Sequence, residues 1–96
     1  MELLVVYDVE TQTKAGRRRL RRVSEACLAF GQRVQKSVYE VTVDDGGLEL
    51  LRARLAQEID FHKDSLRIYR LREPRDKYMW VIGTRPPFDL HGDLIL

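Results

Sequence analysis

The apolar run Leu3-Leu4-Val5-Val6-Tyr7 stops at Asp8, so a carboxylate emerges where a rigid element ends, at the rim of the sheet that run enters. A hard divalent cation takes oxygen ligands, keeps several waters and needs only one or two protein carboxylates beside a substrate phosphate. One aspartate per subunit is therefore enough when two copies of Asp8 face each other in a dimer. The structural alternative is an aspartate that starts a turn. A second chemistry lies in residues 14–36, where Lys14, Arg17, Arg18, Arg19, Arg21, Arg22, Arg33 and Lys36 face Glu25 alone. That segment carries +7 and the remainder −5, within a net charge of +2. A concentrated basic segment on an otherwise acidic chain is the pattern of a polyanion-binding face, and a phosphate backbone is the commonest partner. The alternative is a solvated helix face.

The remaining reactive residue types point to no further chemistry. Cys27 is the single cysteine, which excludes an internal disulfide and a thiolate-rich zinc site. Its place on an apolar helix stripe reads as a buried thiol. His62 falls in a polar turn and His91 in a tail punctuated by Pro and Gly; Asp89, His91 and Asp93 are metal-ligating types that nothing orients. A P-loop, a G-x-G-x-x-G and an H-E-x-x-H are all missing, which removes nucleotide hydrolysis and zinc peptidase chemistry. No strand matches the aromatic signature of an RNA-recognition motif, so Tyr78 and Trp80 read as packing or interface residues.

The elements that position these groups follow from spacing. Residues 2–8 suit a central strand buried on both faces. Thr11 or Thr13 caps a helix from Lys14 to Phe30, where Leu20, Val23, Ala26, Cys27 and Phe30 form one apolar stripe and Gly31 supplies the stop. At about 100° per residue, Arg18, Arg21 and Arg22 lie opposite that stripe, with Arg17 and Arg19 at its flanks. Several cations near a helix N-terminus oppose its dipole, which favours an anion docked there.

From Gln32 to Val43 the apolar parity changes, even at Val34 and Val38 but odd at Tyr39, Val41 and Val43. One strand cannot turn both sets to one face, so a turn, bulge or strand exchange belongs near Lys36 to Val38. Asp44-Asp45-Gly46-Gly47 breaks the chain and caps a second helix with Leu48, Leu51, Leu55 and Ile59 inward. Residues 66–71 and 78–83 read as further strands, and residues 85–96 as a tail whose Asp93-Leu94-Ile95-Leu96 end needs a sheet edge. The order β-α-β-β-α-β with a strand added predicts an α+β, ferredoxin-like sandwich.

Ninety-six residues correspond to one domain, 1–96, whose modest core favours a homodimer. No apolar run approaches the ~18–20 residues that cross a bilayer, and the start has no basic flank or cleavage site of a signal peptide. The expected location is the cytoplasm.

The strand ending Val6-Tyr7-Asp8, the arginine-rich helix and above all Gly31-Gln32-Arg33-Val34-Gln35-Lys36-Ser37-Val38-Tyr39-Glu40 together resemble the small CRISPR-associated Cas2 family. Residues 63–69 and the Asp93-Leu94-Ile95-Leu96 ending are similar to members from type I-C systems, which are associated with double-stranded DNA. The resemblance implies a ferredoxin-like homodimer whose C-terminal strand crosses to the partner subunit. It implies that both copies of Asp8 face a shared Mg²⁺ or Mn²⁺ site, with metal-dependent endonuclease activity on double-stranded DNA or single-stranded RNA. It also implies partnership with the Cas1 integrase in spacer acquisition, and a nucleic-acid-binding region containing Arg17, Arg18, Arg19, Arg22 and Arg33. Of these, only Arg33 sits in a motif matched position by position, and Tyr39 stands where many relatives carry Phe. A single carboxylate per chain, without a nearby general base, leaves two other readings: a non-catalytic DNA-binding scaffold, or a toxin-like ribonuclease on the same fold.

Overall fold

A computed structural model describes residues 1–83. The expectations for the tail strand, for His91 and for the Asp89 to Asp93 cluster lie outside these residues. The chain runs β1 (Glu2–Asp8), α1 (Lys14–Phe30), β2 (Gly31–Gln35), β3 (Val38–Thr42), α2 (Asp45–Glu58) and β4 (Ser65–Leu71), then a 3-10 turn over Arg75–Tyr78. The sheet order is β2-β3-β1-β4, with every neighbouring pair antiparallel. This is the ferredoxin-like arrangement that the order of elements predicts.

Both helices cover one face of the sheet. Leu3, Val5 and Tyr7 of β1 are buried with Tyr39 and Val41 of β3, Val23, Ala26 and Cys27 of α1, and Leu51 and Leu55 of α2. β1 is therefore buried on one face only, contrary to the two-sided burial its apolar run suggests. Leu4 and Val6 are half-buried on the open face, where the register sets them beside Tyr69 and Val38. The parity change resolves as expected, by a turn at Lys36-Ser37 and a bulge between Arg33 and Gln35.

Local chemistry sets the helix ends. The Thr13 hydroxyl accepts from the Gly16 N–H at 3.0 Å, and the Asp44 carboxylate accepts from the Gly47 N–H at 2.7 Å. Gly31 ends α1 without a left-handed cap: its backbone is extended and it opens β2 directly. Glycine is required there for space, because a Cβ would collide with the Glu40 carbonyl of β3. Gly16 is constrained in the same way by the Glu10 carbonyl and carboxylate.

The strand expected over residues 78–83 does not form. Arg75 turns back over the open face of the sheet, 3.0 Å from Glu2 and 3.6 Å from Glu40. Among the described residues, 78–83 pair with no sheet edge, so that backbone has no ladder partner there. Trp80 and Ile82 are exposed.

Two glycine substitutions test this packing. Gly16→Ala forces Glu10 away from α1 and should cost about 1–3 kcal/mol in denaturant unfolding. Gly46→Ala, whose Cβ meets only an Asp44 oxygen at 3.6 Å, should be neutral or stabilise by up to ~1 kcal/mol through the unfolded chain.

Candidate functional site

β1 delivers Asp8 to the sheet rim, exposed, with Ser65 as its register partner on β4. Period-two alternation puts it on the open face with Leu4 and Val6. None of the ion pairs among the described residues includes it. Nor do the described residues bring three His, Cys, Asp or Glu side chains together for a metal ion. At this rim the exposed carboxylate is Asp8, which suits a hard cation that completes its shell with water, phosphate oxygens or a second subunit.

The other acids at this rim are committed internally. The Asp64 side chain has 0% exposure and accepts from Arg19 Nε at 2.8 Å, from the Glu10 N–H at 3.0 Å and from the Asp60 N–H at 2.8 Å. Arg19 also donates a second nitrogen to Asp64 at 3.3 Å and reaches Glu10 at 3.5 Å. The Glu10 carboxylate in turn accepts from the Thr13 N–H at 2.8 Å. Burial pushes the Asp64 carboxyl up, but the Arg19 guanidinium and the two backbone N–H groups outweigh it and hold the carboxyl below its ordinary range. The hydrogen bond to Asp64 likewise strengthens the Arg19 charge.

The start of α1 is thereby neutralised in part from within the chain. Its first turn contains no acid, yet Glu10 folds back onto that turn and supplies negative charge from outside the helix. The docked anion that the sequence calls for is in part the chain's own.

The five candidate arginines consequently divide. Arg19 is tied to Asp64 and Glu10 and is directed inward. Arg33 donates to Tyr39 and Ser24. Arg17, Arg18 and Arg22 remain exposed; Arg17 donates to the Thr11 carbonyl at 3.0 Å, and Arg22 comes only to 3.8 Å from Glu58 of α2. Arg21, left out of the candidate set, is equally exposed, and its offset of four from Arg17 and three from Ser24 puts all three on one row of α1.

One other feature agrees with the sequence. Cys27 is fully buried and its thiol is pushed up to about 12 by burial, so it is not a nucleophile at neutral pH. Glu10 and Asp64 escaped notice because an isolated acid in a polar connection has no periodicity to mark it.

The Asp64 pair makes stability depend on pH with a definite sign. A carboxyl lowered in the folded state contributes stability above its unfolded pKa of about 3.9 and loses it as pH falls toward the folded value. Wild type should therefore lose melting temperature below about pH 4, whereas Asp64→Asn should start lower at neutral pH and show a flatter acid limb.

The model of the family described as CRISPR associated protein Cas2 matches residues 1–79. A curated relative from Moorella thermoacetica, named CRISPR-associated endoribonuclease Cas2 1, is 51% identical over 96 residues, covering 100% of both chains. One from Halalkalibacterium halodurans, named CRISPR-associated endonuclease Cas2, is 46% identical over 95 residues and covers 99% of each. Among solved structures, the crystal structure of Streptococcus pyogenes Cas2 superposes with a TM-score of 0.78 at 43% identity, covering 86% of this chain and 100% of that one.

Proposed function

The chain belongs to the CRISPR-associated Cas2 family, and on that premise we propose that it is a metal-dependent phosphodiester endonuclease of CRISPR adaptation. It acts as a homodimer and partners the Cas1 integrase. The observation that carries the nuclease reading is Asp8, an exposed carboxylate at a rigid strand end, on a rim where Glu10 and Asp64 are already committed. A relative named endoribonuclease supports RNA as a substrate, and one named endonuclease supports nucleic-acid cleavage in general; duplex DNA and single-stranded RNA are the two substrates proposed.

Asp8 from each subunit would hold Mg²⁺ or Mn²⁺. When bound, such an ion polarises a phosphoryl oxygen and lowers the pKa of its water. The chain's own contribution is positional. β1 fixes Asp8 beside β4, where Ser65 is its register partner, and the exposed Arg17, Arg18 and Arg22 supply cations for the phosphate backbone. A second reading, a DNA-binding scaffold without cleavage, is favoured by the single carboxylate: the described residues assemble no multi-ligand metal site.

Incubating purified protein with labelled duplex DNA or single-stranded RNA, in Mg²⁺, Mn²⁺ or EDTA, separates the readings. The nuclease reading expects cation-dependent cutting that Asp8→Ala slows about a hundredfold or more while binding is retained. Binding with no Asp8-dependent cutting in either metal would leave the scaffold.

Loss of Arg17 or Arg18 should weaken duplex binding equally across sequences, because phosphate contacts carry no base code. A change in sequence preference, read by competition between unrelated duplexes, would count against backbone binding.

A further inference from the structure

Arg33 lies on the edge strand β2 and is held by two hydroxyls, with no acid. Its Nε donates to the Tyr39 hydroxyl at 2.9 Å, and its NH2 donates to the same oxygen at 2.7 Å and to Ser24 Oγ at 2.7 Å. Ser24 Oγ and the Tyr39 hydroxyl are themselves 2.6 Å apart. A phenol oxygen has two lone pairs and one proton. With both lone pairs engaged by Arg33, Tyr39 donates its proton to Ser24, so the triangle closes with every group in a defined role. The Tyr39 ring is fully buried and stacks on Tyr7 with centroids 5.9 Å apart. The guanidinium also lies 5.4 Å from the Tyr39 ring centre. The anchor is thus rigid.

Neither neutral hydroxyl cancels the charge. No ion pair among the described residues includes Arg33, and its NH1 nitrogen has no hydrogen bond among them. Ser24 belongs to the α1 row that carries Arg17 and Arg21. A guanidinium fixed at Nε and NH2, keeping its charge and one nitrogen unused, is preorganised for an anion. We propose that the hydroxyls of Ser24 and Tyr39 are positioning groups that aim Arg33 at a backbone phosphate of duplex DNA, in line with Arg17 and Arg21 along the α1–β2 flank. The hydroxyl that distinguishes Tyr39 from Phe thereby acquires a function. This rests on the reading of the basic segment as a backbone-binding face.

Charge and position can be separated by salt dependence. The slope of log affinity against log salt counts neutralised phosphates, at about 0.9 per duplex contact. Affinity of a labelled DNA duplex is measured between about 50 and 200 mM salt for wild type, Arg17→Ala, Arg33→Ala, Arg33→Lys, Tyr39→Phe and Ser24→Ala, with melting temperature as a folding control. Arg33→Ala should flatten the slope by about 0.9. Tyr39→Phe, Ser24→Ala and Arg33→Lys should keep the slope but weaken binding by about 2- to 10-fold, the cost of immobilising one side chain. Unchanged affinity in Tyr39→Phe and Ser24→Ala overturns the positioning role. An unchanged slope in Arg33→Ala, with the slope lowered in Arg17→Ala, makes Arg33 structural and overturns the proposal while the backbone-binding face stands. Wild-type binding confined to single-stranded RNA overturns the duplex assignment. No binding of either nucleic acid removes the underlying reading as well.

Discussion

A carboxylate with no access to water must find all its partners inside the protein, and Asp64 finds them on three different elements. Arg19 comes from α1, the Glu10 N–H from the segment after β1 and the Asp60 N–H from the segment after α2. The bonds join the exit of β1, the entrance of β4 and the first half of α1 at one point. Removing the Arg19 charge strands the Asp64 carboxylate in a place where solvent cannot repair the loss, which is why breaking a buried pair is so costly. Asp8 and Ser65 are register partners beside this knot. The exposed acid thus inherits its position from the buried one, and a labile-looking rim is tied to the core.

The basic segment carries two kinds of work that charge counting cannot separate. One side of α1, through Arg19, stitches the helix to the rim; the opposite flank, through Ser24, meets β2. Between them Arg17, Arg18 and Arg21 stay in solvent. Formal charge at a position therefore says little about surface potential until its partners are known.

What was legible in the sequence is what periodicity and breakers encode. α1 spans Lys14–Phe30 as its stripe implies, Asp44 caps α2, and the change of parity marks the turn between β2 and β3. The exposed strand end of Asp8 was readable for the same reason. Three things were not. The direction of Arg19 depends on Asp64, 45 residues away, and no local pattern reports so distant a partner. Gly16 looks like a weak spot in a helix, whereas its lack of a Cβ is what lets Glu10 approach. Residues 78–83 alternate like a strand, but a strand exists only where another offers its edge, and Arg75 leads that segment across the sheet instead.

Central placement of β1 has a consequence for synthesis. β1 is made first, yet its neighbours β3 and β4 begin only at Val38 and Ser65. At about 5–20 residues per second, the ribosome needs roughly 2–6 s to make the ~30 residues that separate β1 from β3. For that interval the most apolar stretch of the chain has two unsatisfied edges and one companion, the arginine-rich helix that follows it. Flanking charge of this kind acts as a gatekeeper against strand-to-strand association between nascent chains. The same arginines are thus on hand to keep an unfinished chain soluble before there is a surface for them to decorate, an effect that pelleting of stalled, arginine-depleted nascent chains would reveal.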